Sequence, residues 1–81
     1  MNIQLTPRAK RDYADLSLRL QRAVDKQLVF LLQNIRHPSL RAKKYDEAND
    51  VWQARVTDDY RFYFRIIGDE YRITTIIPHP K

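Results

Sequence analysis

Arg61, Tyr63 and Arg65, at alternating positions, and His79, held in Pro78-His79-Pro80, are the residues whose types and spacing suit chemistry on a phosphodiester. If Tyr60 to Ile67 is a strand, successive side chains point to opposite faces, so Tyr60, Phe62, Phe64 and Ile66 share one face and Arg61, Tyr63 and Arg65 the other. The aromatic row suits a core. Two guanidinium groups beside a phenol suit an RNA strand, pairing with phosphates and stacking on a base. In the preceding segment Trp52, Ala54 and Val56 alternate with Gln53, Arg55 and Thr57, and antiparallel pairing would bring Arg55 toward the arginine row. The competing structural explanation makes Arg55, Arg61 and Arg65 solvated cross-strand partners of Asp58, Asp59, Asp69 and Glu70, as most strand charges are. Trp52 is expected to be a core anchor.

Histidine titrates near neutral pH, and prolines on both sides restrict the backbone of His79, which suits it to proton transfer beside arginines. In a flexible tail it would carry no role. His37 precedes Pro38 where a helix must stop, so it is expected to serve as a partner of the helix C-terminal dipole. Arg41, Lys43 and Lys44 form a basic run in which alternation puts Arg41 and Lys43 on one face and Lys44 on the other. Lysines there either contact nucleic acid or merely guard an edge strand against aggregation. The two histidines are far apart, there is no cysteine, and the acidic residues fall in turns, so no metal-ligand set is recognisable. Gly68 is the only glycine, which excludes a glycine-rich phosphate loop. No cofactor is expected.

The elements that must position these groups follow from periodicity. Eighty-one residues make one domain, with no room for a second catalytic module. Asn2 to Leu5 is a short strand, Thr6 a helix N-cap and Pro7 a first helical residue. Tyr13, Leu16, Leu20, Val24, Leu28, Leu31 and Ile35 recur at three- or four-residue spacing, which predicts helix to about Ile35, and Ser17 as a second N-cap breaks it into two near Leu16-Ser17. From Leu40 the period becomes that of strands: Leu40 to Tyr45, Val51 to Thr57, Tyr60 to Ile67 and Glu70 to Pro78, separated by turns at 46–50, 58–59 and 68–69. Short connections imply antiparallel neighbours with the helical hairpin over one sheet face. A formal charge of +5 favours a polyanionic partner. The absence of cysteine, of a long apolar run and of a signal-peptide pattern at Met1-Asn2-Ile3-Gln4 points to a cytoplasmic protein.

The segment Trp52-Gln-Ala-Arg55-Val-Thr-Asp-Asp-Tyr60-Arg61-Phe-Tyr-Phe64, followed by Ile76-Ile77-Pro78-His79, resembles the sheet of the RelE/ParE toxin superfamily, and most of all its RelE- and YoeB-like mRNA interferases. His37-Pro38-Ser39-Leu40 and Lys43-Lys44 are similar to that family's helix-to-sheet junction, so the likeness covers nearly the whole chain. It implies an α+β fold with an N-terminal strand and two-helix hairpin packed on an antiparallel sheet of about four strands. It also implies the toxin of a type II toxin–antitoxin pair, a ribosome-dependent and metal-independent endoribonuclease that cleaves mRNA in the ribosomal A site. Its partners would be a cognate antitoxin, mRNA and ribosomal RNA, with no membrane. The implied catalytic residues are Arg61 as transition-state clamp, Arg55 as a second cation and His79 as general acid or base. Arg41, Lys43, Lys44, Tyr63, Arg65 and Lys81 would bind RNA. The chain departs from the pattern where Pro80 stands in place of a tyrosine that commonly follows the histidine, and where Arg41 falls about at the place of an acidic residue. The other functions that the resemblance allows are a ParE-like inhibitor of DNA gyrase and a catalytically inactive regulator that binds an antitoxin.

Overall fold

A computed structural model describes residues 1–80, which form β1 (Asn2–Leu5), α1 (Pro7–Ala14), α2 (Leu18–Gln33), β2 (Lys43–Asp46), β3 (Val51–Arg55), β4 (Tyr60–Ile67) and β5 (Glu70–Pro78). The helix starts form as their capping residues predict. Thr6 Oγ1 accepts from the Ala9 amide at 3.2 Å with Pro7 in the first turn, and Ser17 Oγ accepts from the Leu20 amide at 3.3 Å. The long apolar stripe is therefore two helices, broken where the second cap stands. Helix α2 ends at Gln33, with Asn34 extended as its cap, slightly before the expected Ile35.

The five strands form one sheet in the order β1-β5-β4-β3-β2. The four later strands are antiparallel neighbours, as their short turns require, and β1 joins the edge parallel to β5, pairing Ile3 with Tyr71 and Leu5 with Ile73. The expected α+β fold is present, with the N-terminal strand making the sheet mixed and five-stranded. Strand β2 starts at Lys43 rather than Leu40, because 39–42 turns a corner, with Arg41 in the left-handed region at φ 47°. No helix is long and apolar enough to cross a membrane among the described residues.

The helices cover one sheet face, where Phe62, Phe64, Ala54, Ile73 and Ile76 meet Val24, Leu31, Leu40 and Ala9. Phe62 and Phe64 are fully buried, and each such side chain stabilises the fold by about 1.5–3 kcal/mol relative to exposure. Trp52, the expected core anchor, is half-buried and stacks on Phe64 at 6.1 Å.

Two polar joints complete this packing. Gln27, only 3% exposed among the apolar residues of α2, donates through Nε2 to the carbonyls of Arg55 (2.7 Å) and Ser39 (3.0 Å), and its Oε1 accepts from Ser39 Oγ (3.0 Å). The other joint lies where β1 ends and leaves the outer side of the C-terminal half of β5 without a strand. There Thr6 Oγ1 donates to the Thr74 carbonyl (3.1 Å), and Asp12 Oδ2 accepts from the Ile76 amide (3.0 Å). Helix α1 thus satisfies a sheet edge with side chains in place of a strand. Gln27→Leu removes the donor to two part-buried carbonyls and should lower stability by roughly 1–3 kcal/mol, read as a shift of the urea midpoint at unchanged slope. Asp12→Ala leaves one edge amide unpaired, with an expected loss of about 1–2 kcal/mol by the same measurement.

Candidate functional site

The sheet face away from the helices carries most of the residues that the sequence singles out. Pairing sets Arg61 opposite Arg55 and Ile77, and Tyr63 opposite Gln53 and Thr75, with Lys43 opposite Gln53 in turn. The register between β4 and β5 is interrupted at one place: Tyr63 pairs with Thr75 but Phe64 with Ile73, so Thr74 is a bulge. Tyr71 and Ile73 before it and Ile76 after it all face the core. The extra residue therefore inverts the alternation and sends Thr75, Ile77 and His79 to the open face. Without it, His79 would fall on the core side, away from Arg61.

His79 and Arg61 there line one cavity of about 230 Å³, together with Arg41, Lys43 and Gln53. The turn between β3 and β4 holds two of these residues in place. Arg61 Nη1 donates to the carbonyls of Thr57 (2.5 Å), Tyr60 (2.9 Å) and Asp58 (3.5 Å), while the His79 amide donates to the Asp59 carbonyl at 2.7 Å. One turn thereby fixes the guanidinium of one strand and the backbone of another. Carbonyl oxygens orient Arg61 without neutralising it, and Arg61, Arg41 and Lys43 form no ion pair among the described residues. His79 Nδ1 is buried and has no hydrogen-bond partner among the described residues, a condition that structural histidines rarely tolerate. Arg41 reaches the cavity from its left-handed corner, a conformation costing about 1–2 kcal/mol for a residue with a Cβ. The corner is held because the buried Leu40 accepts through its carbonyl from the Arg55 amide at 2.7 Å.

The other expected site residues lie elsewhere. Arg55 stands opposite Arg61 in register, but its guanidinium turns to Asp58 (2.8 Å) and lines a different cavity with Arg19, Leu20 and Tyr60. The expected convergence of three arginines on one point therefore does not occur: strand pairing fixes the backbone, and the carboxylate within reach in the turn decides where the side chain goes. The Arg55 hydrogen bond and charge, with smaller contributions from Arg41 and Arg61, hold the Asp58 carboxyl below the usual carboxylate range. Lys44 lies on the opposite face of β2, as alternation predicts, over the Trp52 ring at 5.2 Å and paired with Asp50, which raises its ammonium pKa above the ordinary lysine value. Tyr63 and Arg65 are on the open face outside the cavity, and Lys81 lies outside the described residues. His37, expected at the helix dipole, stacks on Phe30 at 3.8 Å and accepts the Ser39 amide on Nδ1 at 3.1 Å, locking the corner. Gln53 was not foreseen in the site. Its signal was its place in the alternation beside Arg55, since a polar residue between Trp52 and Ala54 must face away from the core.

Comparison with solved structures gives the same architecture throughout. The chain superposes on the YoeB/ParE toxin from Agrobacterium tumefaciens with a TM-score of 0.83 at 15% identity, over 99% of this chain and 100% of that one. The YoeB dimer from Staphylococcus aureus gives 0.82 at 15% identity, over 99% and 98%. The toxin–antitoxin complex RelBE2 from Mycobacterium tuberculosis gives 0.75 at 22% identity, over 96% of each chain. No curated protein sequence matches. At these identities the likeness establishes the fold alone. The sequence itself carries more, because the family model of the ParE toxin of type II toxin–antitoxin systems matches residues 3–79. The chain belongs to that toxin family, within the RelE/ParE superfamily.

Proposed function

We propose that this toxin is a ribosome-dependent endoribonuclease that cleaves mRNA and so inhibits translation in the cytoplasm. The observation that carries the reading is the cavity uniting His79 with Arg61, Arg41 and Lys43, with no carboxylate side chain in its lining among the described residues. Such a site repels nothing about RNA and neutralises phosphate charge from fixed positions. In the reaction the ribose 2′-oxygen attacks the adjacent phosphorus and the P–O5′ bond breaks, giving a 2′,3′-cyclic phosphate and a 5′-hydroxyl. One proton leaves the 2′-hydroxyl and one reaches the 5′-oxygen. Negative charge grows on the phosphoryl oxygens, where a guanidinium preset by turn carbonyls stabilises the transition state without reorganising. Of the groups in the cavity, histidine alone ordinarily titrates near pH 7, so His79 is the group that transfers a proton. Arg41 and Lys43 hold the RNA backbone, and Tyr63 and Arg65 extend the contact along β4. Arg55 belongs to the scaffold through Asp58. A small antitoxin covers the basic face in the inactive state, a reading supported by the family and by the RelBE2 complex among its structural neighbours.

A second reading, gyrase inhibition, is favoured by the match to the ParE family model specifically. Induced expression with primer-extension mapping separates the two. Wild-type protein should cut within translated codons, and Arg61→Ala and His79→Ala should each reduce cutting about 100-fold or more. Toxicity without cleavage, unchanged by His79→Ala, would instead establish the gyrase-type reading. Arg55→Ala should lower the melting temperature while keeping the wild-type cut sites; loss of cutting in a folded Arg55→Ala protein would return that residue to the catalytic set.

A further inference from the structure

Tyr45 is prominent on the open face and has no part in the chemistry described above. It is 61% exposed, on the short outer strand β2, on the side of the sheet that carries the cavity. Its ring meets Tyr63 edge-on, with centroids 5.0 Å apart and planes at 73°. Tyr63 is itself fixed, since its hydroxyl accepts from Gln53 Nε2 at 2.8 Å, and Gln53 is buried at 6% exposure in the wall of the Arg61–His79 cavity. A chain of contacts thus runs from the cavity through Gln53 and Tyr63 to Tyr45, and leaves most of the outer ring in solvent.

The spacing matches a single strand of RNA. Along β4 the open face reads Arg61, Tyr63, Arg65, each about 6.6–6.8 Å from the last. Arg61 and Arg65 are thus about 13 Å apart with the aromatic shelf between them, a span on the order of two extended nucleotides, so a strand that meets both cations passes a base over the rings. Arg65 is exposed and forms no ion pair among the described residues. A phosphate seated at Arg61 therefore leaves the adjoining base over the two tyrosines. Tyrosine offers such a base a rigid π-face at little entropic cost, and the bracing by Tyr63 removes much of what remains.

We propose that Tyr45, braced by Tyr63, is the stacking platform for the nucleobase next to the scissile phosphate, and that it sets the base preference at the cut. The inference rests on the RNA-cleaving reading above. Purines, with the larger ring area, gain more from the stack and are preferred at that position.

Cut-site maps on translated mRNA test this for wild type, Tyr45→Ala and Tyr45→Phe, with affinity for the antitoxin measured on the same proteins. Tyr45→Ala should cut about tenfold less and lose the purine bias at the flanking nucleotide, while Tyr45→Phe keeps both. If Tyr45→Ala retains the wild-type rate and bias, the platform is wrong although the nuclease stands. If it does so and binds the antitoxin more weakly, Tyr45 belongs to a protein interface instead. Absence of cutting by the wild type would overturn this inference together with the nuclease reading. The exposed position of Tyr45 makes loss of folding an unsuitable explanation, and the Tyr45→Phe protein checks it directly.

Discussion

The buried amide of Gln27 is the constraint on which the two halves of the molecule depend. It sits on the apolar stripe of α2 and satisfies the carbonyls of Ser39 and Arg55, one from the corner after the helix and one from the end of β3. An apolar residue at that place would leave both part-buried carbonyls without this donor. With the amide present, the 39–42 corner lies against β3, the Leu40 carbonyl accepts from Arg55, and Arg41 and Lys43 become one wall of the cavity. Hydrophobic burial holds helix and sheet together, but it is non-directional; the amide sets how the corner sits.

The electrostatics divide the basic residues into two groups. Arg55, Lys44 and Arg72 each have a carboxylate within hydrogen-bond distance, in Asp58, Asp50 and Glu70, so their charges are largely local affairs of turns and edges. Arg61 is held instead by carbonyl dipoles, which orient a cation while leaving its charge available to an incoming anion. Arg61, Arg41 and Lys43 stand as like charges around one hollow, an arrangement that opposes the fold modestly and favours a polyanion strongly. A buried ring nitrogen on His79, unpartnered among the described residues, adds to that local cost in the same hollow. Such unfavourable features persist at functional sites when surrounding structure fixes them, and here the β3–β4 turn does so from both sides.

Much of the fold was legible because its local signals agree. Thr6-Pro7 and Ser17 cap the helices they were expected to cap, and the alternation of β4 divides Phe62 and Phe64 from Arg61 and Tyr63 without ambiguity. Of the candidate site, the open face of β4 and the place of Lys43 on that same face were readable, since those depend on residue type and period. The destination of Arg55 was not, because alternation specifies a face and is silent about which carboxylate lies within reach of a long side chain. Gln27 was equally hidden: in a helical stripe it looks like one polar interruption among many, and its partners are 12 and 28 residues away.

The sequence alone determined the strand and helix periods, the caps, the turns and the excess of positive charge, because each is a property of residues near one another in the chain. The meeting of His79 with Arg61 required the tertiary structure. Counted by alternation from Tyr71 and Ile73, His79 belongs on the core side; the bulge at Thr74 reverses that count. Thr74 donates through its hydroxyl to the Tyr63 carbonyl and accepts on its own carbonyl from Thr6, 68 residues earlier in the chain. A one-residue change of register is invisible to local pattern because it is stabilised by partners from β4 and from the start of α1, and those come together only when the chain has folded.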